Sequence, residues 1–300
     1  MGQSGRLSWR VPTTLRVTTR NARFQQWQAL LTNRTKRQRS GEFVVQGVRP
    51  ITLAVQCGWT VTALLYDADR PRHSEWATRL LDTVAAPRFA LTADLIGELG
   101  EKPQAPPELL ATVAIAADEL ERIGARPGPV VAFDRPANPG NIGTVIRSAD
   151  AFGAAGVIVT GHAADPYDPR AVRASTGSLF AIPVVRVPGP EPAMCWAALR
   201  GLSVLGADEA GADEIDSVDL TRPTLLAIGA EGSGLSSGWK RGCERLVRIP
   251  IGGGASSLNA ATAASIALYE CSRQRRMHGH GVAVRTTVAT RPVTEEAQDG

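Results

Sequence analysis

The sequence predicts an α/β protein: a mostly parallel sheet covered by helices on both faces, preceded by a smaller α/β module. Three observations predict it. From about residue 128 onward, short apolar runs alternate with helical stretches, the pattern of parallel strands joined by crossover helices. Three of those runs end in glycine-rich loops, placed where open parallel sheets bind ligands. A Pro-punctuated, weakly apolar stretch (GEKPQAPPELL, then ELERIGARPGP) sets the first part apart and puts a boundary near 122–127.

Taken in order, NARFQQWQALLTN (21–33) has helical spacing at Phe24, Trp27, Leu30 and Leu31. GEFVVQG (41–47) reads as a strand and RPITLAVQCG (49–58) as a helix closed by Gly58. VTALLYD (61–67) is a strand, SEWATRLLDTV (74–84) a helix, and ALTADLIGEL (90–99) holds another short helix. In the second part, 130–134, 156–161, 181–187, 202–208, 224–232 and 245–251 read as strands. NIGTVIRSADAFG (141–153) reads as a loop and helix, and 192–201 and 256–276 as helices. This gives a basic flexible tail at 1–20, a first domain at 21–122, a second at 123–276 and a flexible tail at 277–300. No internal repeat is present.

At 300 residues and 43% hydrophobic, the chain can bury a real core, and it has no apolar run long enough to span a membrane. The first residues lack the apolar centre of a secretory signal. Cys57, Cys195, Cys243 and Cys271 are far apart, with no CxxC pair and no nearby His, which argues against zinc or a disulfide framework. They read as buried or incidental thiols of a cytoplasmic protein, with no metal. The net charge of +4 is uneven: residues 1–41 contain no acid. RTKRQR (34–39) clusters Arg34, Lys36, Arg37 and Arg39 between a helix and a strand, where they can neutralise phosphates of a nucleic acid. Trp27, Trp59 and Trp76 can stack on bases, but their amphipathic pattern assigns them to the core.

The three loops are RPANPGNIGTVIR, GAEGSGL and GGGASSLN. Alone, each glycine set serves a tight turn; on three strand ends of one sheet they can build one pocket. GxxGxG at 229–234 is not a dinucleotide fingerprint, and GGGASS has no P-loop lysine. No Ser-His-Asp set, HExxH or carboxylate pair occurs in these loops. What remains is backbone groups with Asn141, Arg147, Glu231, Ser257 and Asn259, a set suited to holding a cofactor that carries the reactive group.

NPGNIGTVIRSADAFGA, GAEGSGL and IPIGGGASSLNAATAASIALYE, in this order across roughly 128–275, resemble the SpoU (TrmH-type) RNA 2′-O-ribose methyltransferases of the SPOUT superfamily. The first half resembles the small L30e-like substrate-recruiting domain of that family, and the chain also resembles actinobacterial ribosomal-RNA methyltransferases that confer antibiotic resistance. Relatives commonly have Met at the position of Ile251 and Val-Ser-Val-Ala at 260–263. The resemblance implies a C-terminal trefoil knot, S-adenosylmethionine as cofactor, a homodimer and a large-subunit ribosomal RNA substrate. Transfer RNA, or a non-catalytic ribosome-assembly role, are the alternatives. It implies cofactor contacts at Ile228, Gly229, Ala230, Glu231, Gly234, Ile249, Ile251, Ser257, Leu258 and Asn259. The bare glycines from 252 on would mark a crowding of backbones; a simpler account is a helix N-terminus capped by Ser256 or Ser257.

By the same resemblance Arg147 is the catalytic arginine. A guanidinium stays protonated, so a fixed cation that steadies a 2′-oxyanion and a phosphate fits better than a base. Asn141 would orient Arg147 or the ribose, Glu231 would hold Arg147 or help remove the proton, and Ser257 and Asn259 would place substrate and cofactor. Arg135 and Arg173 are further candidates for RNA contact.

Overall fold

A computed structural model describes residues 14–279 apart from 102, 125 and 126. The first domain runs β1 (Thr14–Val17), α1 (Ala22–Thr32), α2 (Arg34–Ser40), β2 (Glu42–Gln46), α3 (Val48–Gln56), β3 (Val61–Asp67), α4 (Glu75–Thr83), β4 (Arg88–Leu91), α5 (Ala93–Leu99) and β5 (Leu109–Ala114). Its five-stranded sheet has the order β1-β4-β3-β5-β2. Helix starts follow side-chain caps: Asn21 accepts from Phe24 N and Ser74 from Ala77 N.

One expectation changes here, and two further stretches form elements. Residues 14–17, assigned to a flexible tail, form a strand pairing in parallel with β4 and burying Val17; four residues with an arginine among them carry too little periodicity to be read. The rest of that tail, 1–13, lies outside the described residues. RTKRQR is helix α2, capped at its start by Asn33 and closed by Gly41 at φ +68°. LLATVA, just after a run of prolines, is β5, an interior strand antiparallel to both β2 and β3.

The second domain runs β6 (Val130–Asp134), α6 (Pro139–Ala151), β7 (Gly156–Thr160), α7 (Pro169–Ser175), α8 (Ser178–Ala181), β8 (Val184–Val187), α9 (Pro190–Leu199), β9 (Ser203–Ala207), β10 (Asp213–Glu214), β11 (Thr224–Ile228), α10 (Ser237–Gly242), β12 (Arg245–Arg248) and α11 (Ala260–Met277). Its seven strands are all parallel, in the order β10-β12-β9-β11-β6-β7-β8. β6 and β11 are neighbours far apart in the chain, and the order reverses there. Valine, leucine and isoleucine on both faces leave β6, β7 and β11 wholly buried. α6 begins where Asn138 accepts from Gly140 N at 2.8 Å and Pro139 takes the first turn. α11 starts at Ala260, capped by Asn259 rather than by Ser256 or Ser257. The tail expected from 277 has its start in the end of this helix, and 280–300 lie outside the described residues.

One apolar cluster runs through both domains. Phe43 of the first packs against Tyr167 and Phe180 of the second, at ring separations of 4.8 and 6.2 Å. Trp59 meets Phe180 edge-on and donates from Nε1 to its carbonyl at 3.1 Å. Trp27 is buried against Phe89, and Trp76 donates to Thr52 Oγ1 at 2.9 Å. Trp27, Trp59 and Trp76 are packing residues, as their pattern indicates.

Candidate active site

A cavity of about 470 Å³ opens at the C-terminal ends of β9, β11 and β12. This is the crevice outside the carboxyl ends of the strands, beside the reversal of strand order. One wall is the turn after β11, Ile228 to Gly234. That turn closes on itself: Gly234 N donates to Ala230 O at 2.9 Å and Ala230 N to Gly234 O at 3.2 Å. Gly229 allows this, since a Cβ there would meet Gly234 C at 2.2 Å. The opposite wall is apolar, from Val247, Ile249, Ile251 and Leu258, with Ser256 and Ser257 at its rim.

Asn259 ties three separate segments together. Its Oδ1 accepts from Ala261 N at 2.9 Å and Thr262 N at 3.2 Å, capping α11. Its Nδ2 donates to the Glu231 carboxylate and, at 3.5 Å, to Asn141 Oδ1. One amide thus joins the start of α6, the turn after β11 and the start of α11. Behind it, α11 packs on α6 through Ala260, Ala261 and Ala264, and Ser148 and Ser265 hydroxyls meet at 2.7 Å.

The lining of the cavity also holds a pair that sequence alone does not indicate. Lys240 Nζ stands 2.7 Å from Asp208 Oδ2. Burial pushes the Asp208 carboxyl up, but bonds from Lys240 and Ala210 N outweigh it and hold it below its ordinary range. Glu209 lines the same rim. The only sequence signal was an acid at the end of a strand, LSVLGAD; Lys240 arrives from α10 through tertiary packing alone.

The remaining candidates divide by place. Ile228, Gly229, Ala230, Glu231, Gly234, Ile249, Ile251, Ser257 and Leu258 line the cavity. Asn141 and Asn259 stand at its edge. Arg147 is exposed on α6, two turns into the helix, and is not part of the cavity wall; among the described residues it makes no hydrogen bond or ion pair. Gly140, Thr144 and Arg147 fall on one stripe of α6, and helical side chains lean toward the N-terminus, the end where Asn141 sits.

Two expectations are overturned at this site. Gly252, Gly253 and Gly254 crowd nothing: a Cβ on any of them would meet no atom within 4 Å. Close backbone approach occurs instead at Gly229 and at Gly143, where a Cβ would meet Ala171 O at 2.3 Å. The loop after β6 does not line the cavity; the loop after β9 does.

Several proposed RNA contacts are committed elsewhere. Arg37 is 2% exposed, with Nε 2.8 Å from Asp165 Oδ2 and Nη1 bonded to Leu30 O. Arg34 donates to Ala163 O at 2.6 Å. Both therefore tie α2 to the second domain. Arg135, at φ +50°, pairs with the buried Asp134 at 3.1 Å and donates to Gly234 O at 3.0 Å, so it braces the turn after β11. Arg173 faces Glu101 in solvent, and Lys36 and Arg39 stand exposed. Among the described residues no group of His, Cys, Asp and Glu is placed to hold a metal, and no helix is long and apolar enough to cross a membrane.

Comparison with known proteins agrees with this architecture. Residues 21–111 match the SpoU L30e-like domain and 128–269 the SpoU rRNA Methylase family. The chain is 56% identical over 272 residues, 89% of its length and 94% of the relative's, to the 23S rRNA (uridine(2479)-2′-O)-methyltransferase of Streptomyces viridochromogenes. It superposes on the crystal structure of the SpoU methyltransferase AviRb from that organism, in complex with the cofactor AdoMet. The TM-score is 0.82, at 56% identity, covering 86% of this chain and 99% of the other. An AdoMet-bound rRNA methyltransferase from Sinorhizobium meliloti superposes with a TM-score of 0.78 at 30% identity, covering 87% and 98% of the two chains.

Proposed function

Because the chain belongs to the SpoU rRNA Methylase family, we propose that it methylates a ribose 2′-hydroxyl of 23S ribosomal RNA, a uridine by likeness to its Streptomyces relative, using S-adenosylmethionine. The observation that carries this reading is the Asn141–Asn259–Glu231 junction at the mouth of the cavity.

The residues present fit that cofactor. Ile249, Ile251 and Leu258 offer an apolar slot for a flat base, and the backbone from Ile228 to Glu231 offers peptide groups for polar edges. Glu231 places a carboxylate at the wall, where a sulfonium cation would be favoured. When bound, S-adenosylmethionine supplies a methyl group on positively charged sulfur; the ribose oxygen bonds to it as the S–C bond breaks and the electron pair stays on sulfur.

The chain's own part is positioning and charge. In this reading Glu231 accepts the hydroxyl proton, and its bond from Asn259 supports that role by fixing the carboxylate. Arg147, unpaired among the described residues, supplies the cation for the developing oxyanion and a neighbouring phosphate. Its stand outside the cavity wall suits a group that engages only when RNA arrives. The chain works as a homodimer, a reading supported by Ile266 and Tyr269, which stand exposed on α11, with Tyr269 against Phe152 at the C-terminal end of α6. It acts in the cytoplasm, where ribosomal RNA is met, and its methylation protects the ribosome from an antibiotic.

Calorimetry with S-adenosylmethionine, followed by mapping of 2′-O-methylation on 23S RNA treated with wild type and Arg147→Ala, tests the reading. Cofactor binding by both proteins and a modified ribose from wild type alone is the expected result. Equal methylation by the variant would remove Arg147 from the mechanism; no cofactor binding by wild type would end the proposal.

A further inference from the structure

The seam between the two domains carries arginines that the cavity chemistry does not use. Helix α7 lies in that seam. Its inner side packs on α6 at Gly143, and it also contacts β2, the edge strand of the first sheet. The turn after it presses on α3: Gly177 is left-handed at φ +97°, and a Cβ there would meet Leu53 Cδ1 at 2.6 Å. Contacts this close hold α3 and α7 in one fixed relation.

Arg49 of α3 and Arg170 and Arg173 of α7 are all exposed on this ridge. Arg49 Nε donates to Thr176 O at 3.2 Å, and the rest of its guanidinium makes no hydrogen bond among the described residues. Arg170 Nε lies 3.1 Å from Asp168 Oδ1, a carboxylate that Arg37 also approaches at 3.7 Å. Arg173 pairs with Glu101 in solvent. Pairs made by solvent-facing arginines like these are weak, so phosphates can displace them readily. Val48, 59% exposed beside Arg49, adds an apolar surface.

We propose that this seam is a track for the backbone of the RNA substrate, with Arg49 and Arg170 as phosphate contacts flanking Arg173. Its position favours RNA over an acidic peptide: α7 lies directly against α6, the helix that bears Asn141 and Arg147. RNA held here is led from the recruiting domain to the site. The proposal rests on the RNA-methylation reading above.

The test measures binding of a 23S RNA fragment across a salt series for wild type, Arg49→Ala, Arg170→Ala and the double variant. Each single change should weaken binding about 5-fold and lower the slope of log affinity against log salt by about 0.7 to 0.9. Calorimetric affinity for S-adenosylmethionine and thermal stability should not move. Arg245→Ala, which breaks an exposed pair with Asp213 on the far edge of the second sheet, should leave the slope unchanged. An unchanged slope in the double variant overturns the track. So does a loss that appears instead with Arg72→Ala and Arg79→Ala, in the groove beside α4. Failure of wild type to bind cofactor or methylate RNA sinks the functional reading, while the slopes still judge the track.

Discussion

The seam helix α2 and the site helix α6 each present an arginine, and the two side chains live in opposite surroundings. Arg37 is 2% exposed and held between Asp165, Asp168 and a carbonyl. Arg147 is exposed and holds no partner among the described residues. A guanidinium already matched to fixed carboxylates fastens two domains and has little left for a ligand. One left unmatched can respond to charge that exists only while a bond is being made. The same contrast separates two glycine loops. The turn at 229–234 is closed by backbone bonds, whereas 252–254 stands open.

The largest effect expected is at the seam. Arg37→Ala removes the nearer of the two guanidiniums that face Asp165, 3% exposed, leaving only Arg186 at 3.9 Å, and should cost about 3 kcal/mol of stability. Chemical denaturation reads this, and methylation by the fraction that stays folded should be preserved. A loss of RNA affinity with no loss of stability would erase the distinction between the two arginines.

Arg147→Ala should do the reverse, slowing methyl transfer about 10²–10³-fold, as for other groups that meet charge only in the transition state. Its melting temperature and cofactor affinity should match wild type. Asn259→Ala comes next. It removes a helix cap worth about 1 kcal/mol and frees Glu231, so stability should fall by that amount and methyl transfer should fall with it. Gly229→Ala, measured by cofactor calorimetry, should abolish binding, because the added Cβ collides with Gly234; Gly253→Ala should leave it intact.

The smallest effect concerns Asp208. Its carboxyl is held below the ordinary 3.8, so its contribution to stability is full above that pH and is lost as pH falls through the lowered folded value. Asp208→Asn should therefore be less stable than wild type near neutrality, with the gap closing in strong acid. A gap that is constant with pH would assign the loss to packing instead.

Much of this was legible in one dimension. The alternation from 130 onward, the glycine loops at strand ends and the separate first domain all follow from local periodicity and turn chemistry, and so do most helices. Asn141, Glu231 and Asn259 could be singled out because polar residues in glycine-rich loops after apolar strands have few packing roles. The misses share a cause. β1, β4 and α7 are four to seven residues long, too short to display a period, and β5 was hidden beside prolines.

What the residue order determined by itself was the inventory: which segments are strands, where turns must fall, and which side chains are chemically able to bind or react. Tertiary structure decided their employment. It sent Arg37 and Arg34 into the seam and Arg135 to a brace, left Arg147 exposed, and brought Asp208 and Lys240 together in the cavity lining. The reason is physical: propensity and periodicity act over a few neighbours, while the partner that neutralises a charge or fills a gap can lie more than a hundred residues away, as Asp165 does from Arg37.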